Sequence, residues 1–413
     1  MDRPPSTNKL GRWATILGVA LAARVAASLV VQRYADMKGR LCVFADTDIY
    51  WLLAGQIKAG STYVAMQWDR PHYALRTPGY PLFLAACRWA FGDATLPARL
   101  AQAALGAGSV WVLAKLVEAV GLRGAGRWSP AMVAAAWAAV DPLAAGTSAL
   151  LLSEAVFLPL MLASLWSLAA AWGSGSRRAA VAAGALMGLG VLVKPSWALF
   201  APAACAAWVA TAGRGRRGLA LRGTLLVGLA MAATMAPWWV RNARVCGRFV
   251  PTALWLGASL HDGLRPGADG SSDMRFLADA DVRGLDEAAQ DAELRRRALT
   301  FARSNPGQAL RLAALKAGRY WSPWPNADAL RSRAAAWGAS AVTLPFYLGL
   351  IVGAWTCRRQ PMTLTLLLGP LLYFAALHMA FASSIRYRIT PGVPALGLAA
   401  VGWLRLASRP IPG

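Results

Sequence analysis

The stretch that decides the fold is WATILGVALAARVAASLVV, residues Trp13–Val31, in which Arg24 is the only charged residue. A helix rises 1.5 Å per residue, so about 20 apolar residues span the hydrocarbon core of a bilayer. No cleavage-site pattern follows this run, and it is long enough to span. The sequence therefore predicts a retained membrane helix rather than a signal peptide.

Apolar runs of similar length recur along the chain, which is 57% hydrophobic and only 15% charged over 413 residues. Soluble proteins carry about 25% charged residues. The composition predicts an all-α polytopic membrane protein with about ten transmembrane helices. The predicted spans are Trp13–Val31, Ala98–Val120, Trp128–Ala145, Leu150–Trp172, Ala179–Val193, Trp197–Ala212, Leu219–Val240, Trp337–Trp355, Met362–Ala382 and Pro391–Leu406.

The charge pattern orients these spans. The formal net charge of +24 would suggest nucleic acid as the partner of a soluble protein, but here every second loop between spans is basic. Loops rich in Lys and Arg stay in the cytoplasm, so the pattern is explained by the membrane and no nucleic-acid partner is predicted. Among the acidic residues only Asp2 and Glu118 map to the basic side. We therefore expect the chemistry to face outward.

Two long outer loops divide the chain. The prediction is an N-terminal transmembrane module (1–240) with a first outer loop (32–97), an extracytoplasmic loop region with short helices (241–336), and C-terminal transmembrane helices (337–413). In the first loop a helix is expected over Asp46–Ala59. In the second loop, helix-forming composition covers Asp286–Ala302, and Asn305-Pro306 predicts the N-cap and first residue of another helix.

Two further patterns bear on cofactors and on the redox state of the cysteines. Gly213–Gly218 fits GxGxxG, but it lies between two spans rather than after a strand, so it is interpreted as a basic turn. The five cysteines lack CxxC spacing, which suggests no zinc site. Cys42 and Cys246 both map outside; they either pair in an oxidising compartment or remain free thiols.

The first outer loop carries the most informative polar residues. Asp46 and Asp48 immediately precede the expected interfacial helix, where either could act as a general base, ligate a cation or cap the helix. Arg76 precedes Thr-Pro-Gly-Tyr-Pro, and Arg binds phosphate oxygens in bidentate fashion. Arg76 could equally bind lipid headgroups. His72 is either an ordinary polar residue or a metal or phosphate contact.

Other charges map to the same membrane face. Glu154 begins the fourth span, where an acid needs a partner such as Lys194 or Arg24, or belongs to a metal or acceptor site. Arg24 itself lies mid-span and is expected to have a structural partner or to snorkel. Cations at the outer ends of other spans predict a pocket for a lipid phosphate. They are Arg76, Lys194, Arg241 and the pair Arg386 and Arg388.

These motifs together resemble the GT-C membrane glycosyltransferases, in the bacterial branch related to protein mannosyltransferases and to the aminoarabinose transferase of lipid A. The resemblance covers nearly the whole chain. It rests on Asp46-x-x-x-Tyr50 with Leu53-Ala54, Arg76-Thr-Pro-Gly-Tyr-Pro-Leu82, Leu152-Ser-Glu154 with Phe157, Leu192-Val-Lys-Pro195, Pro237-Trp-Trp-Val-Arg-Asn242, Gly247-Arg-Phe-Val-Pro251 and Arg386-Tyr-Arg388-x-x-Pro391.

The resemblance implies a GT-C-like fold and transfer of a sugar from a polyprenyl-phosphate donor to a lipid, glycan or protein acceptor, with inversion, on the outer face of a bacterial inner (plasma) membrane. It assigns Asp46 as the base. The eukaryotic mannosyltransferases have an Asp-Glu pair where this chain has Asp-Thr-Asp. Asp48 and Glu154 are alternative ligands for a divalent cation, which this branch only sometimes needs. The rival interpretation is a transporter or flippase of lipid-linked saccharides, although no internal repeat supports it.

The candidate site residues fall into three overlapping groups. The catalytic candidates are Asp46, Asp48 and Glu154. The metal candidates are Asp48 and Glu154. The substrate-binding candidates are Tyr50, His72, Arg76, Tyr80, Lys194, Arg241, Arg386 and Arg388.

Overall fold

The computed structural model describes residues 6–39, 41, 46–67, 70–122, 128–326 and 332–408, with side chains described from residue 10 onward. The N-terminal elements are α1 (Ser6–Lys38), α2 (Asp46–Lys58), β1 (Ala65–Gln67), β2 (Arg70–His72), α3 (Gly79–Phe91), α4 (Thr95–Ala119), α5 (Pro130–Val140), α6 (Pro142–Ala149), α7 (Glu154–Ser174), α8 (Arg177–Val193), α9 (Phe200–Thr211) and α10 (Arg217–Cys246). The two strands form one antiparallel hairpin in which Ala65 pairs with His72.

The remaining helices are α11 (Leu256–Gly263), α12 (Ala280–Arg283), α13 (Glu287–Ser304), α14 (Pro306–Trp321), α15 (Arg333–Thr356), α16 (Pro361–Thr363), α17 (Gly369–Ala380), α18 (Arg386–Gly392) and α19 (Leu396–Ala407). A π-helical turn, Leu364–Leu368, joins α16 to α17. The described chain is thus almost wholly helical, as predicted.

Six segments in the described ranges are long and apolar enough to cross a bilayer. They are Leu10–Lys38, Thr95–Ala119, Glu154–Ser174, Arg214–Cys246, Arg333–Thr356 and Pro361–Ala380. A seventh span results if α18 and α19, which are bent by 70°, cross together. Apolar side chains on these helices are exposed, as lipid-facing residues are. The chain is an all-α, multi-pass membrane protein, which confirms the predicted class.

The predicted count of ten spans is not confirmed, because three of the predicted segments form shorter helices. The segment Trp128–Ala145 divides at Asp141-Pro142, where the Asp141 carboxylate accepts a hydrogen bond from the Leu143 amide (2.9 Å) and caps α6. Helices α8 and α9 have only 17 and 12 residues. Both are shorter than the roughly 20 residues that a perpendicular span needs.

Glycines allow the long helices to pack closely. A Cβ on Gly353 of α15 would lie 1.8 Å from the Leu398 carbonyl oxygen of α19. A Cβ on Gly184 of α8 would lie 2.2 Å from the Val227 carbonyl oxygen of α10. Small residues at helix interfaces let backbones approach in this way in membrane proteins.

Arg24 is buried in the middle of α1 and has structural partners. Its guanidinium donates to the carbonyls of Ala138 (2.9 Å) and Ala139 (3.3 Å) at the end of α5. A helix C-terminus carries partial negative charge, so it stabilises this cation. The predicted alternative that Arg24 pairs with Glu154 is therefore wrong.

The second outer loop folds into short helices. Its α13 is capped by Asp286, and α14 begins at Pro306 as predicted. Asn305 is the N-cap residue by position, but its side-chain amide donates back to the Phe301 carbonyl rather than capping α14. Arg214–Arg216 form a 3-10 turn before α10, which confirms the basic-turn interpretation of Gly213–Gly218. Cys42 lies outside the described residues, so pairing with Cys246 stays a prediction.

Candidate active site

The first outer loop brings Asp46 and Arg76 together. Asp46 is the first residue of α2, and Arg76 follows the β1–β2 hairpin. Arg76 Nη2 donates to Asp46 Oδ1 at 3.0 Å. The Arg76 side chain is only 11% exposed, whereas that of Asp46 is 39% exposed. The pair therefore has a fixed cation and a carboxylate that a ligand can reach.

Arg386 connects this pair to a second carboxylate. Its Nη2 lies 3.6 Å from Asp46 Oδ2, and its Nε donates to Glu154 Oε1 at 2.9 Å. Lys194 Nζ also donates to Glu154 Oε1, at 3.3 Å. Arg76, Asp46, Arg386, Glu154 and Lys194 thus form a continuous series of ion pairs, which we call the ion chain. Three cations face two carboxylates, so the ion chain has a formal charge of +1 and favours an anion.

The start of α2 is fixed beside the ion chain by buried polar contacts. Thr47 is fully buried, and its hydroxyl donates to the Leu151 carbonyl at 2.8 Å. The Gln102 side-chain amide of α4 donates to the Leu150 carbonyl at 2.7 Å. These bonds fix the connection between α6 and α7 relative to α2 and α4. Asp46 and Glu154 are the first residues of α2 and α7, and helix N-termini favour negative charge.

Tyr50, about one turn after Asp46 on α2, forms an aromatic pair with Tyr80. The two rings meet edge to face with centroids 4.9 Å apart. Burial raises the pKa of Tyr50 to about 12, although Arg76 and a hydrogen bond with Ser153 act in the opposite direction. The Tyr80 hydroxyl donates to Gln102 Oε1 at 2.7 Å, and its side chain is fully buried. Tyr80 therefore supports Tyr50, and the structure does not expose it to a substrate.

Arg241 and His72 are not brought into the ion chain. Arg241 donates to the backbone carbonyls of Tyr63 (2.8 Å) and Tyr73 in the first outer loop. His72 is buried, with its ring nitrogens 3.1 Å from the Arg70 carbonyl and 3.3 Å from Gln290 Oε1. Both residues connect segments of the protein to one another, which differs from the phosphate contacts that the sequence suggested.

Arg388 also lies apart from the ion chain. Its side chain is buried, and its guanidinium donates to the carbonyls of Ser322 (2.7 Å) and Tyr320 (3.2 Å) and to the Tyr347 hydroxyl. Residues two apart on a helix point to different faces, so Arg386 and Arg388 cannot both reach one ligand. Arg388 instead anchors the chain where it returns toward α15.

Asp48 and Glu154 do not fit a shared metal site. Asp48 is exposed on the first turn of α2 and has no ion pair or hydrogen bond within the described part of the chain. Both cations that meet Glu154 contact its Oε1, and Ser153 donates to its Oε2 at 3.3 Å. Nor do the described residues contain any group of three or more His, Cys, Asp or Glu that could hold a metal ion.

Sequence reasoning missed three residues around the site. The Arg76 guanidinium lies over the Trp255 ring, 4.6 Å from its centroid, and Lys194 Nζ lies 5.9 Å from the centroid of Tyr387. Glu287 of α13 accepts hydrogen bonds from the first outer loop. Tyr387 sits inside the Arg-Tyr-Arg motif and could have been found. Nothing in the sequence distinguishes Trp255 or Glu287 from other residues of the second outer loop.

Comparison with known proteins supports the fold. Residues 70–240 match the sequence profile of the family described as dolichyl-phosphate-mannose-protein mannosyltransferase. No curated protein sequence matches the chain.

Two solved structures of the oligosaccharyltransferase from Archaeoglobus fulgidus have a similar fold. One is in complex with an inhibitory peptide and a dolichol-phosphate (13% identity, TM-score 0.54), and the other is the apo form (14% identity, TM-score 0.55). The matches cover 96% and 94% of this chain and 50% of the oligosaccharyltransferase in each case. The chain therefore spans about half the length of that protein.

A third structure, ArnT from Cupriavidus metallidurans bound to undecaprenyl phosphate, is 16% identical and matches over 96% of this chain and 78% of its own length. Its TM-score is 0.48. The profile and the two oligosaccharyltransferase structures confirm the predicted resemblance and the GT-C-like fold.

Proposed function

We propose that this chain is an integral-membrane glycosyltransferase that transfers a sugar from a polyprenyl-phosphate donor to an acceptor. Its fold is that of an oligosaccharyltransferase solved with a dolichol-phosphate, and residues 70–240 match a family whose description names a dolichyl-phosphate sugar. Both point to a donor in which a sugar is attached to a lipid phosphate.

The observation that carries the proposal is the placement of Asp46. Its carboxylate lies between Arg76 and Arg386, and its side chain remains 39% exposed. A proton acceptor next to two guanidinium groups suits a reaction in which a proton leaves one reactant while a phosphate leaves the other. Glu154, in contrast, is 1% exposed and held by two cations, so it is unsuited to accept a proton from substrate.

In the proposed reaction, Asp46 accepts the proton of an acceptor hydroxyl or amine as its heteroatom attacks the anomeric carbon. The new bond to the anomeric carbon forms while the bond between that carbon and the phosphate oxygen breaks. The lipid phosphate leaves with the electron pair. Asp46 is the reachable carboxylate of the ion chain, since Glu154 is buried, so direct displacement is favoured over a covalent intermediate, and it would invert the anomeric centre. General base catalysis of this kind contributes about 10²–10⁴ in rate.

Arg76, Arg386 and Lys194 are proposed to stabilise the charge that develops on the leaving phosphate. Fixed cations in a partly buried site stabilise developing negative charge strongly, because they need little reorganisation during the reaction. The Arg76 guanidinium is held in place by two aromatic rings, with the centroids of Tyr50 and Trp255 at 6.0 and 4.6 Å. Arg241 and Arg388 donate to backbone carbonyls apart from the ion chain and have no part in this role.

The proposed location of the reaction is the outer face of a bacterial plasma membrane. Basic turns such as Arg214–Arg216 favour the cytoplasm. Such basic turns form every second loop between the predicted spans, and the residues of the ion chain lie on or beside the alternate loops. The acceptor is a lipid, a glycan or a protein of the cell envelope.

The test is a transfer assay with the full chain in liposomes. Radiolabelled sugars on polyprenyl phosphate are supplied together with lipid, glycan and peptide acceptors, and labelled product and free polyprenyl phosphate are measured. We expect both products in equal amounts. Movement of the labelled lipid across the bilayer without cleavage would instead identify a transporter and overturn the proposal.

A further inference from the structure

Glu287 of the second outer loop holds the backbone just before Arg76. Its Oε2 accepts a hydrogen bond from the Tyr73 amide at 2.7 Å, and its Oε1 accepts one from the Ala74 amide at 2.9 Å. The Glu287 side chain is buried. Two amides bound to one carboxylate fix the orientation of both peptide groups, two and three residues before the arginine.

Arg241 holds the same segment from the other side. One of its nitrogens donates to the Tyr73 carbonyl, and Nη2 donates to the Tyr63 carbonyl at 2.8 Å. The Tyr63 hydroxyl in turn donates to the Arg76 carbonyl at 3.1 Å. The peptide unit of Tyr73 thus lies between a carboxylate and a guanidinium, and the same guanidinium fixes the tyrosine that bonds Arg76.

The second outer loop also reaches the Arg76 side chain. The Leu254 amide donates to the Ala74 carbonyl at 2.9 Å, and the next residue, Trp255, covers the Arg76 guanidinium at 4.6 Å. Contacts from the second outer loop therefore hold both the backbone before Arg76 and the group that bonds Asp46.

We propose that Glu287 and Arg241 are positioning residues that form a clamp on the backbone of Tyr73 and Ala74 and thereby aim Arg76 at Asp46 and the donor phosphate. This inference rests on the proposed function and extends it. It gives the second outer loop a part in the transfer, although none of its residues belongs to the ion chain. It also gives Arg241 a role other than phosphate binding.

The test compares Glu287→Ala and Glu287→Gln with the control Glu293→Gln. Glu293 lies on the same helix α13, and its ion pairs among the described residues are with Arg296 and Arg297 of that helix. In the transfer assay, we expect Glu287→Ala to lower kcat/KM for the donor by about 10–100-fold, because a displacement of about 1 Å costs rates of this order. Glu287→Gln retains one acceptor and should recover part of the loss, and Glu293→Gln should match the wild type.

A double-mutant cycle separates positioning from general destabilisation. If Glu287 acts through Arg76, Glu287→Ala should cause little further loss in an Arg76→Ala background, whereas independent effects add. Additive losses, or equal losses in Glu287→Ala and Glu293→Gln, would overturn the inference.

Hydrogen exchange supplies a readout that does not depend on transfer. The amides of Tyr73 and Ala74 should exchange about tenfold or more faster in Glu287→Ala, which removes both acceptors, than in the wild type or in Glu293→Gln. Unchanged exchange would reject the clamp. Slow exchange of these two amides in a wild-type chain that transfers no sugar would keep the clamp and reject the proposed function, so the two failures can be told apart.

Discussion

At the scale of single residues, Glu154 is the carboxylate on which the ion chain depends. Its side chain is 1% exposed, and Lys194 and Arg386 both bind its Oε1. Removing one partner of a buried ion pair leaves an uncompensated charge and is strongly destabilising. Glu154 is therefore expected to matter for folding as well as for holding Arg386 near Asp46.

Glu154→Gln should lower the free energy of unfolding by about 3 kcal/mol, because two cations would then face a neutral amide. The matched control is Glu118→Gln, which breaks the ion pair between Glu118 and Lys115. The Glu118 side chain is 43% exposed. Surface pairs contribute about 0–1 kcal/mol. Denaturant unfolding in detergent measures the free energy of unfolding of both variants. Equal losses would show that the buried ion pairs contribute no more to stability than the surface pair.

Tyr50 should act as a neutral hydrogen-bonding group. Since burial raises its pKa to about 12, the phenol should stay protonated near neutral pH. Tyr50→Phe should lower the transfer rate by about tenfold or less, the worth of about one hydrogen bond. The alkaline limb of the pH–rate profile should not move. A shift of that limb in Tyr50→Phe would show that Tyr50 itself loses a proton in the reaction.

The sequence could predict the members of the ion chain but not the residues that support it. Asp46, Arg76, Arg386 and Glu154 lie at the outer ends of helices or in the first outer loop, where charge near lipid needs a partner. Arg388 shares that sequence position, yet its partners are backbone carbonyls. Backbone partners leave no pattern in the sequence, because every residue has a carbonyl group.

At the scale of elements, glycine decides how closely α15 and α19 pack. Gly353→Ala should destabilise the protein by about 1–3 kcal/mol, because the added Cβ would lie 1.8 Å from the Leu398 carbonyl oxygen. Gly338→Ala is the control on the same helix, since a Cβ there meets nothing within 4 Å. That change should be neutral or stabilising by up to about 1 kcal/mol. Equal decreases in the thermal unfolding midpoints of the two variants would contradict close packing at Gly353.

Elements with clear local signals were predicted well. The α2 helix begins at Asp46 and α14 at Pro306, as expected. The number of spans was not predicted, because hydrophobicity alone does not separate a buried short helix from a span. Helix α9 is apolar, but its 12 residues cannot cross a bilayer unaided.

At the scale of the whole molecule, the basic turns and the ion chain should lie on opposite sides of the membrane. In a cysteine-free background, Ser272→Cys in the second outer loop should react with a membrane-impermeant maleimide in intact cells. Gly215→Cys in the basic turn should react only after the cells are broken. Both positions are exposed. The reverse labelling pattern would place the ion chain in the cytoplasm.

Across the whole molecule, the claim on which everything else depends is that Asp46 is the base of a sugar transfer within the ion chain. The most direct measurement compares initial transfer rates of Asp46→Asn and Asp48→Asn. The two acids are two residues apart, but Asp46 meets Arg76 and Arg386 while Asp48 is exposed. We expect Asp46→Asn to lose about 10²–10⁴ in rate and Asp48→Asn to lose less than about tenfold. Full activity in Asp46→Asn, or a larger loss in Asp48→Asn, would contradict the account.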